Sequence, residues 1–503
     1  MELERSIPKS IDYTDVLPVA VPAVARRRRF YPQNGTTFNA NGTREIRIEI
    51  GSVNSLLDVQ HSYLEFFVTN TAAQTLGFDI GGTNILFEEV RVEQGGRVLA
   101  REQEHARFHA GIVSPAQVTT DGEVTSGIAQ YGKTLTSNVG GAAGQLAPFL
   151  GGNGSAYSLT LHNVNNQLPA GFSVRMVMPM PTGLFTQDKL LPLPLVSQNN
   201  PITLVLRMAN SQSVGVWSAA PGPGDGALQI IRANYIAQLI EVGPDVIEQM
   251  KQMQSMSGGQ LTISSHDIEH NQGLLPAGST GEQVIRVPMR KRSVKSLLFQ
   301  INSEDFTNGA PGMAEFNIYN LSSAGNANMN NYQLKVGSVV YPPQPVNCWG
   351  NCGRAAAAGR SLPENERSEC AMELAKAFGQ LGFVNPTGRM TVTSYGTSTV
   401  NATGAGNPNM ADGDNGDGVN TIAPASGQEL SYTPFGLDLD AFQHTAIEAG
   451  VNTETLALET NLILDIDNAG GAGSGAEPKN VHTYIIFDKH YYFGADGNIT
   501  FSD

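Results

Sequence analysis

Residues 127–134 read Gly127-Ile128-Ala129-Gln130-Tyr131-Gly132-Lys133-Thr134, which satisfies the G-x-x-x-x-G-K-[ST] pattern of a phosphate-binding loop letter for letter. Such a loop holds phosphates on successive backbone N–H groups and a helix N-terminus, so it needs a buried strand before it and a helix behind it. Neither flank fits. Thr119-Thr120-Asp121-Gly122-Glu123 is polar turn material, and Leu135-Thr136-Ser137-Asn138-Val139-Gly140-Gly141 cannot sustain a helix. The context favours a chance match in a glycine-rich loop over a nucleotide site.

Asp79-Ile80-Gly81-Gly82-Thr83-Asn84 resembles the first phosphate motif of the sugar-kinase and hexokinase-like fold. Those enzymes set it on a first strand near the chain start and need a distant Asp-Gly loop followed by a helix. The order of elements here supplies neither, and a turn between two strands needs only the glycine pair and Asn84. Asp412-Gly413-Asp414-Asn415-Gly416-Asp417-Gly418 gathers carboxylates as calcium loops do, because a hard cation takes several oxygens on a tightly turning backbone. Gly416 stands where the third EF-hand ligand belongs and no glutamate closes the twelfth position, so an exposed loop is expected. Cys348, Cys352 and Cys370 lack a fourth ligand and zinc-site spacing, and read as thiols. No G-x-S-x-G elbow or H-E-x-x-H helix occurs, and the nine histidines form no cluster in sequence. Thus no catalytic, cofactor-binding or metal-ligating residue is expected, and the chain reads as a non-enzyme.

One concentrated positive charge stands out. Arg26, Arg27, Arg28 and Arg29 lie in a stretch free of acidic residues from Val16 to Arg44. They are candidate contacts for an anion, whether enclosed nucleic acid, the headgroups of an internal membrane or an acidic neighbouring subunit; a nuclear localisation signal is the other reading.

The whole chain carries a net charge of −15. That excludes a protein coated in phosphate contacts, which require Lys and Arg. Charged residues are 15% of the chain, against roughly 25% in ordinary soluble domains. Such a surface suits a protein that hides much of itself against neighbours. Three cysteines give no disulfide framework, as expected of folding in a reducing compartment. The sequons at Asn34, Asn41, Asn153, Asn320, Asn401 and Asn498 matter only on a secretory route. Residues 1–15 carry Glu2, Glu4, Asp12 and Asp15 instead of a signal-peptide pattern, and no apolar run reaches the roughly 18 residues of a membrane span. A secreted, glycosylated adhesin and a phosphate-loop NTPase are therefore the alternatives to a structural protein made inside a cell.

With 503 residues, two domains is the default. Each half carries a long alternating strand. In the first, Leu64, Phe66 and Val68 recur at period two; in the second, residues 331–346 alternate and then halt at Pro342, Pro343 and Pro345, which cannot donate to a ladder. Further strands are expected at 46–50, 85–99 (a hairpin turning at Gln94-Gly95-Gly96), 157–162, 172–178, 202–208, 228–242, 261–264, 284–287, 293–301, 316–321, 430–433, 455–466, 481–492 and 499–501. Val246, Met250 and Met253 fall at helical spacing and read as a packing stripe on a joining helix. Ser361-Leu362-Pro363-Glu364 is a capping box, followed by Cys370, Leu374 and Phe378 on one helical face. Prolines 8, 18, 22 and 32 make residues 1–40 an arm, and the non-periodic stretches 114–154 and 396–427 read as exposed loops.

Three ordered segments carry a family resemblance: Leu57-Asp58 with Ser62-Tyr63-Leu64; Tyr332-Gln333-Leu334 with Gly337, Tyr341-Pro342 and Pro345; and Phe435-Gly436-Leu437-Asp438-Leu439-Asp440 with Gly450. With the late strand 481–488 they make the chain similar, from about Arg44 to Phe501, to the double jelly-roll major capsid proteins of the polinton-like virus, virophage and adintovirus lineage. The resemblance implies an all-β chain of two consecutive eight-stranded antiparallel jelly rolls with a few short helices. The arm is expected at 1–40, jelly roll 1 at 41–256 and jelly roll 2 at 257–503. It further implies a virion protein that forms pseudo-hexameric homotrimeric capsomers of an icosahedral double-stranded DNA virus shell. Neighbouring capsomers and penton and minor capsid proteins are its implied partners. The arm would lie beneath the shell, in local contact with genome or internal membrane.

Overall fold

The computed structural model describes residues 23–73, 76–78, 82–113, 167–168, 170–180, 183–185, 187, 189–210, 214–217, 227–303, 329–348, 368–378, 434–440, 450–454, 459–467 and 478–503. Its first half contains β1 (Ala23–Phe30), β2 (Thr37–Asn39), β3 (Glu45–Ile50), β4 (Ser55–Asn70), β5 (Leu76–Phe78), β6 (Phe87–Gln94), β7 (Arg97–Gln103), the short helix α1 (His105–Phe108), β8 (Gln167–Leu168), β9 (Ser173–Pro179), β10 (Ile202–Met208), β11 (Gly215–Trp217) and β12 (Leu228–Val242). Helix α2 (Pro244–Met256) leads into β13 (Gln260–Leu275), β14 (Thr280–Arg286), β15 (Val294–Ser303), β16 (Met329–Val336), β17 (Val339–Asn347), helix α3 (Ser368–Phe378), β18 (Phe435–Asp438), β19 (Thr460–Asp467), β20 (Lys479–Gly494) and β21 (Ile499–Ser502).

All ladders among the described residues are antiparallel, and two pairs of facing sheets emerge. In the second half the orders are β13-β20-β15-β18 and β14-β19-β16-β17. Numbering those eight strands along the chain gives 1-8-3-6 and 2-7-4-5, a jelly-roll winding. The first half repeats it. Its orders, β1-β12-β4-β9 and β3-β10-β6-β7, are again 1-8-3-6 and 2-7-4-5, with β2 added to β12 and a small sheet β11-β5-β8 beside them.

This identity of strand order corrects the arm. Residues 1–22 lie outside the described residues, but β1 is the first strand of the first sandwich, paired with β12 from Ala23↔Val242 to Phe30↔Tyr235. Without it the first half would lack the counterpart of β13. Arginine is no β-former, which is why the strand is illegible alone; the ladder to a long partner overrides propensity.

Period-two alternation decides the cores. Leu64, Phe66 and Val68 of β4 are fully buried against the facing sheet, with the rings of Phe66 and Phe87 5.1 Å apart. The β6–β7 hairpin turns at Gly95 and Gly96, both at positive φ, as expected from the sequence. Residues 331–346, expected as one strand, are instead a hairpin: β16 turns at Gly337 (φ 60°) into β17, with Val336 opposite Val339. The prolines do not end β17. It is an edge strand, and the three prolines fall where the β16–β17 register slips, between the pairs Leu334↔Tyr341 and Tyr332↔Val346, so none of them occupies a paired position of the ladder.

Helix α3 buries Cys370, Leu374 and Phe378 on β18, as its spacing requires; a Cβ on Gly436 would stand 2.8 Å from that of Ala377. Helix α2 differs from expectation. Met253 is 51% exposed, and the buried residue is Gln254, whose Nε2 donates to the Phe493 carbonyl at 2.7 Å. The helix is anchored by one amide instead of a methionine stripe.

Candidate functional site

The residues that carry the family resemblance hold the sandwiches together. Ser62 bridges a β-bulge, donating to the Asp58 carbonyl and accepting from the Gln238 N–H, where the β4–β12 register slips. Tyr332 donates to the Gly436 carbonyl at 3.0 Å, tying one sheet to the other, and Gln333 donates to the Pro342 carbonyl at 2.7 Å. Lys295 and Asp440 form a buried ion pair at 3.0 Å, and at Gly450 any Cβ would meet the Val294 carbonyl at 2.6 Å. Asp440 and the nearby Asp488 hold the Lys295 ammonium above its ordinary range against the opposing effect of burial.

Among the earlier chemical candidates, residues 127–134, 412–418 and Cys352 lie outside the described residues. The described strands pair only antiparallel, so the parallel sheet a phosphate loop requires has no counterpart among them. Gly82–Leu86 of the kinase-like motif is a 3-10 turn ahead of β6, with Thr83 donating to the Val177 carbonyl at 2.8 Å; Asp79–Gly81 lies outside. Cys348 and Cys370 come together, buried, with their sulfurs 2.8 Å apart.

The arginine run occupies an outer edge. Strand alternation sends Arg27 and Arg29 to the face that carries Tyr63 and Glu65 of β4, and Arg26 and Arg28 to the other. Arg26 pairs with Glu241 at 2.9 Å, Arg27 donates to the Tyr63 hydroxyl, and Arg29 and Arg175 both approach the buried Glu65. The run is therefore partly neutralised within the chain, and its guanidinium groups remain exposed.

Sequence reasoning missed the junction between the halves. The segment after β7 enters the second core through Phe108, Ile112 and Val113, while Ile263, Tyr491, Phe493 and Ile499 from the second half join the first core. The Gln94 amide clamps the β20–β21 turn, donating to Gly497 O at 2.9 Å and accepting from Ile499 N at 2.7 Å. Gly183 fits between Ala100 and Tyr491, whose side-chain atoms would lie 2.5 and 2.8 Å from an added Cβ.

Buried titratable groups line this junction. Lys489 and Asp267 pair at 2.8 Å, His270 Nε2 meets His482 Nδ1 at 3.0 Å, and Glu102 faces His105 and His109 at 3.1 and 3.4 Å. Burial would raise the Glu102 carboxyl, but the two adjoining imidazoles outweigh it and hold the group far below the carboxylate range. Burial pushes the His109 imidazole down, and the charge of His105 adds to that. The absence of a histidine cluster expected from sequence is thus corrected: Glu102-x-x-His105-x-x-x-His109 was a legible signal, since residues four apart share a helical face.

No family model matches the sequence, and no curated protein matches it. Solved structures do. PBCV-1 VP54, as fitted into a cryo-electron-microscopy reconstruction of the virophage Sputnik, matches with a TM-score of 0.56 at 11% identity, over 98% of this chain and 99% of that one. A quasi-atomic PBCV-1 capsid gives 0.52 at 11% identity over 98% and 99% of the two chains. The 3.5 Å Sputnik virophage structure gives 0.52 at 10% identity over 100% and 92%. The fold is that of the double jelly-roll major capsid proteins. The match extends through both halves, so the shared feature is the pair of sandwiches and not one common module.

Proposed function

We propose that this chain is a major capsid protein, a structural subunit of a virus shell. The single observation carrying the proposal is the repeated 1-8-3-6 and 2-7-4-5 winding in one chain, matched nearly end to end by PBCV-1 and Sputnik structures. Its finer form is a homotrimer whose six sandwiches make a pseudo-hexameric capsomer. Trimers would then tile an icosahedral shell around double-stranded DNA, meeting neighbouring capsomers, penton and minor capsid proteins.

The open edges support that form. Within the chain, β13, the first strand of the second sandwich, lies against β7, the fifth strand of the first. Their counterparts, β1 and β17, are edge strands at the two far sides of the pair, and both are largely exposed. A second copy offering β17 to β1 would repeat the internal contact between chains, and a head-to-tail contact closes into a ring when its rotation permits. The Arg26–Arg29 edge is then a contact for a neighbouring subunit, with Arg27 and Arg29 on one face. Residues 1–22, ahead of that edge, are the part proposed to reach genome or membrane inside the virion. Light scattering on the purified protein tests the oligomer. A mass three times the 53.5 kDa of the chain is expected, and a strictly monomeric species at every concentration and salt tried would count against the trimer.

A further inference from the structure

We propose that Glu102, His105 and His109 bind one divalent transition-metal cation of the zinc class. Two imidazoles and a carboxylate are a donor set such ions favour, leaving a fourth position for water. The three ligand atoms lie within 4.8 Å of one another, and the side chains of Glu102, His105 and His109 are 1%, 0% and 5% exposed. The separations of Glu102 Oε1 from His105 Nδ1 (3.1 Å) and His109 Nε2 (3.4 Å) suit a tetrahedral ion, whose bonds of about 2.0–2.1 Å put ligands about 3.3 Å apart.

The orientation of the rings gives a second reason. His105 Nε2 lies 3.2 Å from Asn84 Oδ1, and the ring so oriented turns Nδ1 toward a Glu102 carboxylate oxygen at 3.1 Å. His109 Nε2 points at the same oxygen, and neither nitrogen makes a hydrogen bond of good angle. Two ring nitrogens and a carboxylate oxygen converging in a buried space call for positive charge among them, as protons on the rings or as a metal ion. Asn84 occupies the place of the outer acceptor that orients a metal-bound histidine. The site is built locally: Glu102 lies near the end of β7, His105 opens α1, and His109 follows one turn later with its ring centroid 4.3 Å from that of His105. The intervening Phe108 plugs the second core, so an ion here would pin the junction of the two sandwiches.

The test uses the full chain, stripped by chelator and titrated with zinc sulfate, then with cobalt(II) as a spectroscopic stand-in. Zinc is expected to bind at one equivalent per chain and to raise the midpoint of thermal unfolding. Cobalt is expected to give the intense visible bands of a four-coordinate nitrogen–oxygen site. His109→Gln and Glu102→Gln should each weaken zinc at least tenfold, with His61→Gln, an exposed histidine, as the unaffected control. The wild-type titration decides even if a variant folds poorly. Binding below about a tenth of an equivalent, a sulfur-to-cobalt charge-transfer band that puts the ion on cysteines, or undiminished binding in both folded variants would each overturn the proposal. None of these outcomes depends on the capsid reading.

Discussion

The two sandwiches share a winding but treat their first strands differently. β13 runs 16 residues, pairs with β20 throughout and lies against β7 of the other sandwich; Ile263 enters the first core and Asp267 the junction. β1 runs eight residues, carries four arginines and is exposed along all but its last position. One topological position thus serves as an internal joint in the second sandwich and as an open edge in the first. A strand edge is a template for pairing, and charged side chains are a common means of keeping it from pairing indiscriminately. The proposed trimer takes that contrast as the boundary between contacts inside the chain and contacts between chains.

The sharpest way to break the joint is to empty it. Phe108→Ala removes a fully buried ring that the first half lends to the second core, next to Tyr484 at 4.8 Å. A loss of about 3–5 kcal/mol is expected, measured by denaturant unfolding, with the two sandwiches no longer unfolding in a single transition.

Acid should strain the same joint. Burial lowers the His270 imidazole from 6.5 to about 4, Glu104 opposing and Arg107 assisting, and puts His482 well below its ordinary value. Tyr484 packs on the same ring at 5.0 Å. Between 6.5 and 4 the unfolded chain binds more protons than the folded one, so stability falls as pH drops through that window. The expected loss is about 3 kcal/mol at pH 4 from His270 alone, at ~1.4 kcal/mol per unit. His270→Gln should flatten the acid limb of a stability–pH curve, and an unchanged curve would place the sensitivity elsewhere.

Gln94→Ala strips the clamp on Gly497 and Ile499 and leaves buried backbone groups without their partner. It should cost about 1–3 kcal/mol in thermal or urea unfolding. At the open edge the expectation reverses. Replacing Arg27 and Arg29 with Ser should change chain stability by less than about 1 kcal/mol, since both guanidinium groups are exposed, Arg29 reaches Glu65 only at 3.9 Å and Arg175 remains to pair with it, while weakening assembly in light scattering.

What could be read from sequence follows physical lines. β4 was legible from the period-two run Leu64, Phe66 and Val68, and β10 and β12 from their β-branched and aromatic content. β1 was not, because Arg26–Arg29 has no apolar face and its strand state depends on β12, over two hundred residues away. β17 was hidden by prolines that only an edge tolerates. The joint was hidden more deeply: Glu102, His270, and His482 with Lys489 come from three distant segments, β7, β13 and β20, and nothing local marks them as neighbours. Only Glu102, His105 and His109 carried a readable spacing.

Electron cryo-microscopy of the purified assembly tests the central claim most directly. The expected map shows three copies closed into a ring of six sandwiches, with the β1 edge of each copy against the second sandwich of the next. A map in which the chain stands alone, or in which β1 faces solvent inside a closed ring, would contradict it.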